Sequence, residues 1–270
     1  SLTIPASTTL STDSPYTANI LTKNNGTVTV ESGPSIFSNG ALSSTALQGK
    51  NQSGLTVTNS GTIRAGNSKA INLLDATNSN ITNNAGGIIK SNTNTITVTA
   101  TNDNDANNVT INNSGEIYAE AVSSGTTSNN AIKSENDTDN ITIINNSGGH
   151  IHNNNSANTV LRSATVYISS ASTGTLTNSG TIENKAGTDA YVLGVAGSGV
   201  TVTLKDKGKV IGKIKVEGSG HTIKLQHGAG QAYFYETSGA GTYDLEDLNG
   251  NPVVKGSAGS IGQAGNEMLD

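Results

Sequence analysis

Apolar and polar residues alternate in short runs along most of this chain, and one recurring turn breaks the runs. Leu55-Thr56-Val57-Thr58 is such a run, Asn59-Ser60-Gly61 turns it, and Thr62-Ile63-Arg64 begins the next. Alternation with period two marks a strand with one buried face. The same turn returns in Asn83-Asn84-Ala85-Gly86-Gly87-Ile88, in Asn112-Asn113-Ser114-Gly115-Glu116-Ile117 and in Asn145-Asn146-Ser147-Gly148-Gly149-His150-Ile151. It appears again in Thr177-Asn178-Ser179-Gly180-Thr181-Ile182 and, with the Asn replaced, in Lys205-Asp206-Lys207-Gly208-Lys209-Val210. A degenerate first copy lies at Asn24–Val30. The turn glycines at 61, 86, 115, 148, 180 and 208 are 25, 29, 33, 32 and 28 residues apart. Steps of that size, with variable insertions, are the signature of a stacked repeat.

Each period holds three short strand-like runs and no helical pattern. The third run is read at Ala70–Leu74, Thr95–Ala100, Ala131–Lys133, Thr159–Leu161 and Ala190–Leu193 in successive periods. Runs this short cannot hold a sheet alone. Stacked one period apart, each can hydrogen-bond to the runs above and below, about 4.8 Å away. The expected fold is therefore all-β: a right-handed, three-faced parallel β-helix, the hand following the usual parallel crossover. The structural corner is placed at Asn59, Gly61, Asn84, Gly86, Asn113, Gly115, Asn146, Gly148, Asn178, Gly180 and Gly208. There Gly supplies positive φ and Asn can stack into an amide ladder. An antiparallel sandwich fits the strand content, but it predicts no fixed order of three runs around one repeated corner.

The ends read differently. Residues 1–22, with Pro5 and Pro15, are expected to form an N-terminal cap segment, and 23–216 the repeats. After Val216 the pattern changes, and Tyr233, Phe234, Tyr235 and Tyr243 follow. Asn249-Gly250 is a two-residue hairpin signal, so 217–255 is expected to be a C-terminal hairpin cap over an open solenoid end. Residues 256–270, rich in Gly, Ser and Ala, read as a linker.

Composition narrows the function classes. Charged residues are only 13 % of the chain, aromatic residues 3 %, and the net charge is −5. Nucleic acid needs a concentrated basic footprint; here Lys205, Lys207, Lys209, Lys213 and Lys215 alternate along two strands and read as a solvated face. The chain has no Cys, which removes disulfides and thiol chemistry. No apolar run approaches the roughly 20 residues of a membrane-spanning helix.

Candidate chemistry is sparse. His150 and His152 fall on one side of a strand, but a zinc site needs further ligands; Glu120 and Glu135 are the nearest candidates, and solvated surface histidines are the simpler reading. Asn102–Asp105 and Glu135–Asp139 are oxygen-rich, yet neither carries an EF-hand or β-roll calcium pattern; polar turns account for both. A carbohydrate-active β-helix needs clustered carboxylates, whereas Glu116, Glu183 and Asp189 stand apart in sequence, and Tyr118, Tyr167 and Tyr191 are the few aromatics available for stacking on a sugar. On these grounds no catalytic, cofactor-binding or metal-binding residue is expected, and the chain reads as a non-enzyme.

The repeated Asn-Ser-Gly-x-Ile turns resemble those of Gram-negative autotransporter (type V secretion) passenger domains of the adhesin-like β-helix type. Tyr243-Asp244-Leu245-Glu246-Asp247-Leu248-Asn249-Gly250-Asn251-Pro252-Val253-Val254 is similar to the capping region of such passengers. The resemblance spans residues 24 to 262. It implies a secreted or cell-surface protein, with an outer-membrane barrel expected downstream and no membrane insertion of these residues. It also implies action by contact, as an adhesin or self-associating factor, whose partners would be a host-cell surface protein or glycan, or another passenger. The alternatives are a purely structural stalk and a carbohydrate-active β-helix enzyme.

Overall fold

A computed structural model of the protein describes residues 1–5, 9–12, 20–22, 24–33, 35–38, 45–101, 106–120, 129–154, 161–169, 172–187, 189–205, 208–226, 234–237, 243–252 and 262–263. The chain is a parallel β-helix of three faces. The first sheet has ten strands, from Leu2–Ile4 to Tyr243–Asp247. The second has eight, from Thr9–Thr12 to Lys209–Ile211, and the third ten, from Ile20–Leu21 to Gly262–Gln263. Each strand pairs in parallel with the equivalent strand one coil away, as Thr56–Asn59 does with Asn80–Asn83. The exception is the last pair of the third sheet, Phe234–Thr237 with Gly262–Gln263, which is antiparallel. Among the described residues the only helical turn is the 3-10 turn Leu161–Ser163.

Register explains the core. Val57, Ile81, Ile111, Ile143, Leu176 and Val202 are successive partners in the first sheet. Ile63, Ile89, Ile117, Ile151 and Ile182 are the matching column of the second. All are buried within one continuous apolar cluster running the length of the stack. Burying one such side chain is worth roughly 1.5–3 kcal/mol, so a column of single aliphatic residues stabilises a coil without any aromatic filling.

The corner from first to second sheet comes in two lengths. Two-residue corners, Ser60-Gly61, Ser114-Gly115 and Ser179-Gly180, alternate with four-residue corners, Asn84–Gly87 and Asn146–Gly149. Gly86 and Gly148 take φ of 80° and 85°, inside the longer corners. The expectation of positive φ at every turn glycine holds only there. Gly61, Gly115, Gly180 and Gly208 have ordinary φ, and at Gly115, Gly180 and Gly208 it is close approach that requires glycine: a Cβ on Gly115 would lie 2.2 Å from the Gly87 carbonyl oxygen. The structural equivalents of Gly61, Gly115, Gly180 and Gly208 are thus Gly87 and Gly149, one residue after the glycines picked from the repeat.

A second fixed corner precedes the first sheet. Asn25, Gly54, Asn78, Asn108, Asn140, Gly199 and Gly220 have φ between 49° and 75°. Each sits two residues before an aligned strand position, Thr27, Thr56, Asn80, Thr110, Thr142, Thr201 or Thr222. Gly and Asn are the residues that enter the left-handed region at least cost. Asn108 Nδ2 donates to Asn78 Oδ1 (3.1 Å) and Asn140 Nδ2 to Asn108 Oδ1 (3.4 Å), so the column is also linked through side chains.

The first 22 residues contribute one strand to each sheet, and each of these pairs in parallel with the next coil. The third run expected at Thr159–Leu161 is displaced, for Leu161 begins the 3-10 turn and the strand is Val166–Ile168. Asn130 Nδ2 donates to the carbonyls of Arg162 (2.9 Å) and Ala164 (2.5 Å), holding that turn against the coil below. Among the described residues the last strand of the second sheet is Lys209–Ile211, while the first and third sheets run on past Val216 through His221–Leu225, Phe234–Thr237 and Tyr243–Asp247. At Asn249-Gly250 the chain does reverse: Gly250 N–H donates to Asp247 O (3.1 Å), and Glu246 and Pro252 form an antiparallel bridge.

Candidate functional site

Alternation along the second sheet sends every other side chain outward, and stacking lines these up in two columns. One runs Thr62, Ile88, Glu116, His150, Thr181; the other Phe37, Arg64, Lys90, Tyr118, His152, Glu183. The second column is a chain of contacts. The Arg64 guanidinium lies 5.0 Å from the Phe37 ring centre, and Lys90 Nζ 5.3 Å from that of Tyr118. Tyr118 stacks on His152 at 4.6 Å with the rings 10° apart, and the His150 ring is 4.4 Å from His152. Glu120 reaches back to Lys90 (3.6 Å) and Arg64 (4.0 Å). Towards the Phe37 end the face opens into a groove of about 380 Å³ lined by Ser35, Phe37, Thr62, Arg64, Ile88 and Lys90.

The histidines are crossed with two carboxylates from the neighbouring coils. His152 Nε2 lies 2.7 Å from Glu116 Oε1, and His150 Nε2 lies 3.0 Å from Glu183 Oε2. Glu116 is the register partner of His150, and Glu183 that of His152, so both pairs are diagonal. Lys185 Nζ is 3.4 Å from His152 Nε2. The reading of both histidines as solvated is corrected: the His152 side chain is only 3 % exposed, and its Nδ1 has no hydrogen-bond partner. Burial is the main cause that lowers its pKa to about 4; the Glu116 hydrogen bond opposes the shift, and the positive Lys185 and His150 add to it. His150, by contrast, is partly exposed.

Sequence reasoning put the two histidines on one side of a strand, and they are. It proposed the wrong carboxylates. Glu120 belongs to Arg64 and Lys90, and Glu135 pairs with Lys133 at 2.6 Å; the true neighbours, Glu116 and Glu183, looked isolated because they are 33 or more residues from their histidines. Asp189 stays apart, paired with Lys213. Tyr167 and Tyr191 are buried on the third sheet, so neither offers an open ring, and burial also pushes the Tyr167 hydroxyl pKa up. Asp137 lies in a turn with φ of 53° at Asn136 and 44° at Asp137; Asp139 is on the short strand Thr138–Asp139, paired with Ala106–Asn107, and accepts a hydrogen bond from Thr173 Oγ1. Asn102–Asp105 and Lys207 fall outside the described residues. The lysines do not form one patch: Lys209 is on the second sheet, Lys213 and Lys215 on the third, and Lys215 is buried over the Tyr191 ring.

The corner asparagines divide in the same way. Asn59, Asn113 and Asn178 are fully buried and belong to one ladder, whose other members are Asn83 and Asn145. Its rungs, Nδ2 to Oδ1, run Asn59 to Asn83, Asn83 to Asn113, Asn113 to Asn145 and Asn145 to Asn178, at 2.8 to 2.9 Å. Asn84 and Asn146, picked from the repeat, sit one residue later and bind Ser60 Oγ and Ser114 Oγ instead. Alternation could have found the right ones, since Ile81 and Asn83 share the inward phase. Compared with known proteins, the chain matches no family model, no characterised protein and no solved structure at a significant level. Any functional reading therefore rests on the residues themselves.

Proposed function

We propose that the chain is a surface-exposed or secreted passenger of the autotransporter kind, acting by contact as an adhesin or self-associating factor. The observation that carries the reading is the outer face of the second sheet. There Phe37, Arg64, Lys90 and Tyr118 bring rings and cations together beside an open groove. Cations flanked by aromatic faces suit a carboxylate-bearing partner, either an acidic sugar of a host glycan or an acidic protein segment. Rigid stacking holds these groups in place before binding, which lowers the ordering cost of association.

The test is adhesion of bacteria displaying the chain, with and without Arg64→Ala and Lys90→Ala. Loss of one well-placed ion pair is expected to weaken attachment by about tenfold. Clumping that survives both substitutions would place self-association elsewhere on the stack. A purely structural stalk is the second reading, favoured by the unbroken core and amide ladder. Wild-type bacteria that neither adhere nor clump would establish it.

A further inference from the structure

We propose that Glu116, His150 and His152 bind one zinc(II) ion, with Glu183 as a fourth donor, forming a clip across three successive coils. This inference does not depend on the contact function. One candidate ligand atom from each of Glu116, His150 and His152 lies within 4.8 Å of the other two. In a tetrahedral site with bonds of about 2.0–2.2 Å, neighbouring ligand atoms are about 3.4 Å apart. The widest-spaced donors thus need to close by up to about 1.4 Å, through rotation of the partly exposed Glu116 and His150 side chains.

The donor set points to zinc over calcium, because two of the four donors are imidazole nitrogens. In the absence of an ion, each imidazole Nε2 lies within hydrogen-bond distance of a carboxylate oxygen, His152 of Glu116 and His150 of Glu183. A divalent cation placed between these donors would neutralise both carboxylates. The His152 side chain is only 3 % exposed, so an ion on its Nε2 would be largely shielded from water. Lys185 opposes a cation, with Nζ 3.4 Å from His152 Nε2, but it is an exposed side chain on a flexible stem and can withdraw into solvent.

The experiment is calorimetric titration of the untagged, chelator-treated full chain with zinc chloride, followed by cobalt(II) as a spectroscopic probe. One saturable zinc site per chain is expected, with the visible bands of four-coordinate cobalt, and an excess of calcium should not compete. His150→Ala and Glu116→Gln change partly exposed side chains and should leave the thermal unfolding profile in place. Each is expected to weaken zinc by about tenfold or more. Lys185→Ala should tighten it, a gain that a merely structural role for these residues would not produce. Absence of a saturable one-to-one site would overturn the proposal, as would equal affinity in His150→Ala and Glu116→Gln. Unchanged affinity in Lys185→Ala would contradict an ion held at His152 Nε2.

Discussion

Two polar stacks run through the same coils, one inside and one outside, and they solve burial differently. Inside, Asn59, Asn83, Asn113, Asn145 and Asn178 repeat one neutral group, and each amide donates to the next at 2.8 to 2.9 Å. Outside, Tyr118, His150, His152, Glu116 and Glu183 change identity at every coil, and their pairs are ionisable. Repetition lets a buried polar group find its partner automatically, because the next coil brings an identical one at the spacing of the sheet. A mixed stack has no such guarantee, and His152 with its unpartnered Nδ1 shows the consequence. The inner stack serves the fold, and the outer one is where chemistry can differ from coil to coil.

That contrast can be broken from the inside first. Gly115→Ala would drive a methyl group into the Gly87 carbonyl, at 2.2 Å, against backbone that cannot swing aside. A loss of about 3 kcal/mol or more is expected in urea unfolding, the upper range for overpacking. A Gly115→Ala chain as stable as the parent would show that the two corner lengths are not locked together.

Acid sharpens the comparison, because the amides of the inner ladder do not titrate and His152 does. Folding holds His152 neutral with a pKa of about 4, against 6.5 when unfolded. Burial lowers the pKa of His221 as well, whose Nδ1 accepts from Val200 N–H while its Nε2 lies 2.8 Å from the Glu217 carbonyl. Below pH 6.5 the unfolded chain takes up protons that the folded chain refuses, so stability falls as pH drops towards 4. For His152 the whole window is worth up to about 3 kcal/mol in the metal-free protein. Unfolding midpoints at pH 7 and pH 4.5 measure this, and His152→Gln should flatten the slope. An equal slope in that variant would assign the acid sensitivity elsewhere.

Asn113→Ala removes two rungs from the middle of the ladder, Asn83 to Asn113 and Asn113 to Asn145. Asn145 keeps its own donations, but its Oδ1 atom loses the Asn113 donor, and the gap is closed to water. The expected loss is roughly 2 kcal/mol, the cost of an orphaned buried group. Replacing both Asn113 and Asn145 should cost less than the sum of the two single changes, and strict additivity would argue against a coupled ladder. The smallest effect belongs outside: Glu120→Ala, which frees Lys90 and Arg64, should change stability by only about 0.5 kcal/mol, as half-exposed ion pairs do. A loss several times larger would mean that the outer face, too, supports the fold.

Much of this was legible along the chain. Period-two alternation in Leu55–Thr58 and its copies named the strands and their buried phase, and the spacing of the glycines named a stack of three-faced coils. Both signals are local: a strand one side chain deep must alternate, and a coil must turn at residues that permit it. What the linear pattern left open was which residue meets which across coils. Matching the turn glycines selects Asn84, although Ile81 and Asn83 share the inward phase, because the four-residue corner, absent from the coils on either side, offsets the glycine from the strand. The same holds for Glu116 and Glu183, which stand 33 or more residues from the histidines they contact, and for Leu161, which a side-chain-capped turn takes out of the strand. Local chemistry determined the coil. The register between coils, set by corner lengths and by where each insertion lets the chain come round, was decided only in three dimensions.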